Sequence, residues 1–199
     1  MSDTYLPKKM KILKKYLIYV LPLLSFTSKD NETPPDNRKL IADKSVSLVT
    51  YAMSHPMHSW EGTCKDVNAI IVINEKTRVI EQIAVALQLD TFNSGNANRD
   101  SHALEVMESL KFPRVIFTSN KIKVAAEMLS IEGNLNFHGI TKPLTIIASR
   151  EDFVNKLVVD GKFDVSLNEF KVVRPTLMGL KTNDKMSLKF KVIFDLRIL

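Results

Sequence analysis

The sequence predicts an all-β fold, an antiparallel sandwich or barrel, and three observations carry that expectation. Apolar and polar residues alternate with a period of two in stretch after stretch, and short polar segments join the stretches. The span Ile131 to Ala148 reads as a β-hairpin with one apolar face, Ile131, Leu135 and Phe137 with Gly133, then Leu144, Ile146 and Ala148. Only one stretch, Asp100–Leu110, has helical spacing. A hairpin alone is marginal in water, so the other strands must close the sheet over its apolar face.

The 199 residues divide into three parts. In residues 1–28 five lysines stand against Asp3, and the uncharged run Tyr16–Phe26 follows. Its eleven residues are too few to span a bilayer, which takes roughly 20. They suit a secretory signal peptide, with Ser25, Thr27 and Ser28 near the cleavage point and Met10 an alternative start. The expected location is periplasmic or secreted, with no membrane span after processing. Residues 29–39, polar and carrying Pro34-Pro35, read as a linker, and residues 40–199 as one β domain. Removing the leader leaves a net charge of +2 out of +6, which takes away the main support for a nucleic-acid partner. A single cysteine, Cys64, excludes an internal disulfide, so stability must come from the core. A domain of about 160 residues buries roughly 70% of its unfolded surface, which suffices.

In chain order, Val46, Leu48 and Thr50 alternate with Ser47, Val49 and Tyr51, and Val67, Ala69, Ile71 and Ile73 make a second run. Ile83, Val85, Leu87 and Leu89 follow. Val115 and Phe117 precede the hairpin, in which Gly139 supplies the positive φ of the turn and Pro143 opens the second arm. His138 is expected on the polar face. Phe163, Val165 and Leu167, then Met186 to Leu196 with Leu188, Phe190, Val192 and Phe194, complete the set. The helical stretch places Leu104, Met107 and Leu110 on one side, with Asp100 or Ser101 as N-cap, and Phe112-Pro113 ends it.

Catalytic motifs for nucleotide binding, serine hydrolysis and zinc proteolysis are missing from the chain, so no catalytic residue is assigned. His55 and His58 flank Pro56, but a third metal ligand is not evident. Cys64 lacks a base partner. Arg99-Asp100-Ser-His102 ends a Gly/Asn-rich loop before the helix. Arginine beside a helix N-terminus favours an anionic head group, whereas a capping Asp100 paired with Arg99 explains the same residues structurally.

Several stations together resemble the YceI-like family, the lipocalin-like polyisoprenoid-binding domains of bacteria. They are Ser45-Val-Ser-Leu48, His55 with Trp60-Glu-Gly62, Asn98-Arg-Asp-Ser-His102 and Phe112-Pro-Arg-Val-Ile-Phe-Thr-Ser119. Gly133-Asn-Leu-Asn-Phe-His-Gly-Ile-Thr-Lys-Pro143 and Phe170-Lys-Val-Val-Arg-Pro175 complete the series. The resemblance implies an eight-stranded antiparallel lipocalin-like barrel with one or two short helices, whose interior holds a long isoprenoid or other lipid tail. Carried over, Phe112, Val115, Phe117, Leu135 and Phe137 would form the interior or its wall. Arg99, Asp100 and His102 would sit near the helix at the mouth. The family also implies a bound lipid rather than a cofactor and often a homodimer, while the missing catalytic motifs themselves point away from an enzyme and the lack of an evident third ligand points away from a metal site. A barrel with a filled core and no lipid ligand is the competing expectation.

Overall fold

The computed structural model describes residues 36–197; the expected signal peptide and the first part of the expected linker lie outside the described residues. The strands β1 (Asn37–Ile41), β2 (Leu48–His55), β3 (His58–Cys64), β4 (Asn68–Asn74), β5 (Ile80–Gln88) and the two-residue β6 (Phe92–Asn93) precede the helix α1 (Ala97–Val106). After it come β7 (Arg114–Ala125), β8 (Met128–Phe137), β9 (Ile140–Asp152) and β10 (Lys156–Ser166). A small ribbon, β11 (Thr176–Leu177) with β12 (Leu180–Lys181), leads into β13 (Lys185–Asp195).

Eleven strands form one antiparallel sheet in the order β1-β4-β5-β7-β8-β9-β10-β13-β2-β3-β6, and β11 and β12 pair separately. The count is therefore eleven plus two, not eight. The extra strands have little apolar alternation to announce them. β1 is Asn-Arg-Lys-Leu-Ile and begins inside the stretch expected to be linker, β3 presents only Trp60, Gly62 and Cys64 inward, and β6 has two residues. The sheet curls until its edge meets its own far side. Ala42 bridges Phe194 of β13, its N–H donates to Ala69 O (2.9 Å), and Asp43 N–H donates to Ile193 O (2.8 Å). Closure of this kind covers the β1 end of the sheet.

The apolar faces read from the sequence point inward. Ile71, Ile73, Leu135, Phe137, Val165, Val192 and Phe194 are buried. In β2 the inward parity is Val49 and Met53, leaving Val46 and Leu48 at the surface. The central hairpin turns tighter than expected. His138 (φ 50°) and Gly139 (φ 72°) alone make the reversal, and Phe137 pairs with Ile140. Two positive-φ residues are what a two-residue type I′ connection requires. Pro143 thus lies within β9, opposite Asn134, where β9 has only β8 beside it because its pairing with β10 starts at Ala148. A residue without an N–H is tolerated at such a position.

The helix also starts earlier than Asp100. Asn96 is the N-cap, its side chain accepting from Arg99 N–H (3.1 Å), because a side-chain carbonyl one residue before Ala97 satisfies the third helical donor. Leu110 lies beyond the helix, fully exposed, while Val106 and Met107 pack on the barrel core and Leu104 lines its cavity.

The barrel ends differ. The β2–β3 and β8–β9 turns, α1 and the β10–β13 connection gather at one end; the β4–β5, β7–β8 and β9–β10 turns gather at the other. This second end is filled, since Ile73, Leu129 and Leu157 are buried to 1% or less exposure and none of them lines the hollow at the α1 end. A buried Arg150 latches it from outside. Its Nη1 donates to Arg78 O (2.7 Å), and its Nε and Nη2 donate to Asp152 (2.7 and 3.0 Å). Hydrogen bonding from Arg150 holds the Asp152 carboxyl below its usual pKa, burial opposing. A depressed carboxyl pKa contributes stability above its unfolded value, about 3.9, and loses it as pH falls through the folded value. Asp152→Asn should therefore cost about 0.5 kcal/mol at pH 7, allowing for solvent screening of this half-exposed pair. Urea unfolding as a function of pH checks it: the gap to wild type closes as the medium is acidified below the unfolded carboxyl value of about 3.9 and through the lower folded one.

Candidate functional site, an apolar hollow with a polar mouth

Inward side chains fill the latched end and leave the α1 end hollow. The cavity measures about 240 Å³. One water needs only about 10–15 Å³ of such space, but it also needs two to four polar partners. Here the wall is almost wholly apolar, with Ile83 and Val85 on β5, Phe163 on β10 and Leu188 and Phe190 on β13. Water gains little in such a hollow and an apolar chain gains much.

The hollow exists partly because three inward positions carry no side chain. Gly62 lies directly across from Tyr51, and Gly161 across from Phe190. Gly133 faces the ring of Phe117. Each ring lies back over its glycine, so closely that a Cβ on Gly62 would stand 2.5 Å from Tyr51 Cε1 and one on Gly161 2.9 Å from Phe190 Cζ. Rings laid flat on the wall cover exposed backbone and leave the centre open.

The mouth is built by the loop before α1 and by its first turns. Arg99, Asp100 and His102 all line it. Asp100 does not cap the helix; its carboxylate accepts from Ser94 N–H (3.1 and 3.2 Å), which folds the Gly/Asn-rich loop back onto the helix. Arg99 is half-buried and makes no ion pair among the described residues, with Asp100 or any other carboxylate. His102 is exposed, its Nδ1 3.6 Å from Glu105. Below them Tyr51 tilts against Phe92, ring centres 5.6 Å apart. Burial raises the Tyr51 hydroxyl pKa, Asp100 raises it further and Arg99 opposes, so the phenol remains a neutral donor at the rim.

Val115, Phe117, Leu135 and Phe137 lie in the wall, where the family resemblance would put them. Phe112 does not. It packs at a tilt against His138, ring centres 4.7 Å apart, and covers Gly139 from outside the hollow. His138 itself is buried rather than on an open polar face. Its Nδ1–H donates to Phe170 O (2.9 Å), and Nε2 stands 2.8 Å from Glu108, off the line of a good hydrogen bond. One side chain thus ties together the β8–β9 turn, the segment after α1 and the β10–β13 connection. His55 is equally committed, accepting from Met57 N–H at Nδ1 (3.3 Å) and donating to Leu180 O from Nε2 (3.1 Å), so neither ring nitrogen is left for a metal. Among the described residues no group of three or more His, Cys, Asp or Glu side chains is arranged to hold a metal ion. Cys64 is wholly buried, with Sγ 3.1 Å from Thr91 Oγ1.

Tyr51, Trp60, Phe163 and Phe190 also line the cavity; the alternation puts Phe163 and Phe190 on apolar strand faces, but nothing in the linear sequence assigns any of the four to a ligand site. For Tyr51 and Phe190 the signal is an inward glycine opposite the ring, which becomes visible only once strand register is known.

A curled antiparallel sheet with a short helix at the mouth of an apolar hollow defines a lipocalin-like barrel. The chain belongs to the YceI-like family: the model of the YceI-like domain matches residues 41–194. Protein YceI of Salmonella newport (strain SL254) is 30% identical over 140 residues, 68% of this chain and 72% of that protein. Among solved structures, BcnA from Burkholderia cenocepacia has a TM-score of 0.69 at 16% identity, covering 76% of this chain and 98% of that one. A polyisoprenoid binding domain from Saccharophagus degradans has a TM-score of 0.61 at 10% identity, covering 78% and 97%. The Campylobacter jejuni YCEI protein has a TM-score of 0.60 at 20% identity, covering 69% and 85%. At these identities the structural likenesses bear on the fold.

Gly62→Ala should force the Tyr51 ring off the wall and cost about 1–3 kcal/mol by overpacking. In the Tyr51→Leu background the same change should cost much less. A double-mutant cycle by urea denaturation measures the coupling, and an additive result would contradict the ring-over-glycine account.

Proposed function

We propose that this protein binds a long isoprenoid or other lipid tail inside its barrel and serves as a non-enzymatic carrier outside the cytoplasm. The observation that carries the reading is the hollow of about 240 Å³, apolar and lined at its mouth by Arg99, Asp100 and His102. Each methylene that leaves water for such a site is worth roughly 0.8 kcal/mol, so an extended tail supplies ample gross affinity before ordering costs. The structural neighbour from Saccharophagus degradans, a polyisoprenoid binding domain, supports the same ligand class. Val115, Phe117, Leu135 and Phe137 would contact the tail, and Arg99 with the Tyr51 hydroxyl would meet its polar end. The basic, then apolar leader of residues 8–26 supports export to the periplasm or beyond. No helix among the described residues is long and apolar enough to cross a membrane. A homodimer is compatible with this role, and the binding reading does not require one.

Native mass spectrometry of protein gently purified from a bacterial host should show a co-purified lipid, and a clean unliganded mass would contradict the proposal. Val85→Trp separates a usable hollow from a filled core. Val85 is half-buried and faces the cavity. If the hollow is the binding site, the indole occupies it, lipid uptake falls at least tenfold and stability changes little. In a filled core the same substitution would cost about 1–3 kcal/mol.

A further inference from the structure

The connection between β10 and β13 has a surface that the tail-binding role leaves unexplained. From Lys171 to Asn183 it carries three cations, Lys171, Arg174 and Lys181, and no carboxylate. Four large apolar side chains face water on the same stretch. Val173 is 81% and Met178 80% exposed, and Leu177 and Leu180 are each 49% exposed. Leu177 pairs with Leu180 across the β11–β12 ribbon, and Met178 (φ 51°) with Gly179 (φ 79°) forms a tight reversal at its tip.

The ribbon is firmly seated. Thr182 N–H donates to Pro175 O (2.9 Å), Arg174 Nη1 donates to Thr182 O (2.8 Å), and Asn183 N–H donates to Ser54 O (2.9 Å). The His55 bond to Leu180 O fixes its outer strand against the β2–β3 turn, where Met57 adds another exposed apolar tip. Pro175 and Thr182, at the base of the ribbon, line the cavity. A rigid, apolar-tipped, basic finger therefore stands at the mouth of the hollow. The latched end differs in charge pattern: Phe153 and Val154 protrude there too, but with Glu151 and the Arg-paired Asp152 interspersed with Lys156, whose Nζ lies 4.8 Å from the Phe153 ring centre.

We propose that this finger docks the cavity mouth on an anionic phospholipid surface. This rests on the lipid-binding reading and adds the place where lipid is exchanged. Val173, Leu177, Met178 and Leu180 would enter the boundary between head groups and acyl chains, and the three cations would lie among the phosphates. Apolar side chains flanked by lysine and arginine, with long stems that keep the charge in the polar layer, are the composition that holds a protein in that zone. Docking at the mouth lets a tail pass between bilayer and barrel without exposing its length to water.

The test places an environment-sensitive fluorophore on the finger of the full chain through Met178→Cys; Cys64, wholly buried, does not compete for the label. A label at Val154→Cys on the opposite end is the control. Because the signal is local, binding by the leader does not mimic it. With phosphatidylglycerol vesicles the Met178 label should shift to the blue and brighten at least twofold, while phosphatidylcholine vesicles and the control position give little change. Added salt should reverse the effect. Lys171→Asn with Lys181→Gln, which keeps a residue tolerant of the left-handed φ of 55° at position 171, should weaken vesicle partitioning roughly 30-fold. An unshifted label, or an equal shift on phosphatidylcholine, overturns the proposal. So does a shift without vesicles that grows with protein concentration, which would identify the finger as a contact between two copies. Lipid carriage is read separately by native mass spectrometry. A lipid-loaded protein whose label does not shift defeats the docking alone, and a docking protein that never carries lipid defeats the carrier reading alone.

Discussion

The inward faces of the strands are uniformly apolar but do not supply enough side-chain volume to fill the space the sheet encloses. Every other feature of the site follows from that shortage. At the latched end, isoleucine and leucine side chains from opposing strands meet and the core is solid. Toward α1, glycines take three inward positions and the rings that face them lie back on the wall. The void that results cannot be hydrated cheaply, because its lining offers few hydrogen-bond partners. A hollow that the protein leaves unfilled, and whose apolar lining offers water little, is a standing free-energy source for an apolar ligand.

The polar groups are concentrated where they cost least. The mouth is wet enough for Arg99 and His102 to remain solvated, and Asp100 is occupied in shaping the loop before the helix. The two buried histidines are braces. His138 and His55 each bridge segments far apart in sequence, and each fixes a piece of the β10–β13 connection, at Phe170 and Leu180. That connection therefore holds its shape over the mouth while exposing apolar residues, a combination that conformational freedom alone would not produce. Asymmetry between a latched end and an open, apolar-tipped end gives the barrel a direction, which a carrier that exchanges cargo on one side can use.

Much of this is legible in the chain. The alternation in β4, β5, β8, β10 and β13 identifies both the strands and their inward faces, because a period of two leaves only one apolar side to bury. The central hairpin is visible too, although the sequence suggests a looser turn than the real one, since Gly139 advertises positive φ and His138 does not. β1 and β3 escape because charges or a glycine interrupt their pattern, and the edge pairing that makes β1 a strand is non-local. The N-cap is Asn96 and not Asp100. Both look like caps, and only the fold of the preceding loop assigns one to the helix and the other to Ser94.

The sequence by itself determined the all-β class, the membership of most residues in inner or outer faces, and the family likeness, since these depend on local periodicity and on motifs of a few residues. Tertiary structure alone decided the strand count, the closure through Ala42 and Phe194, and which inward residues touch a void instead of one another. It also moved Phe112 from the wall to the outside of the barrel and His138 from the surface to a buried brace. The physical reason is common to all of these. Volume left unfilled is a property of how opposite walls face each other across a closed sheet, and no single strand carries that information.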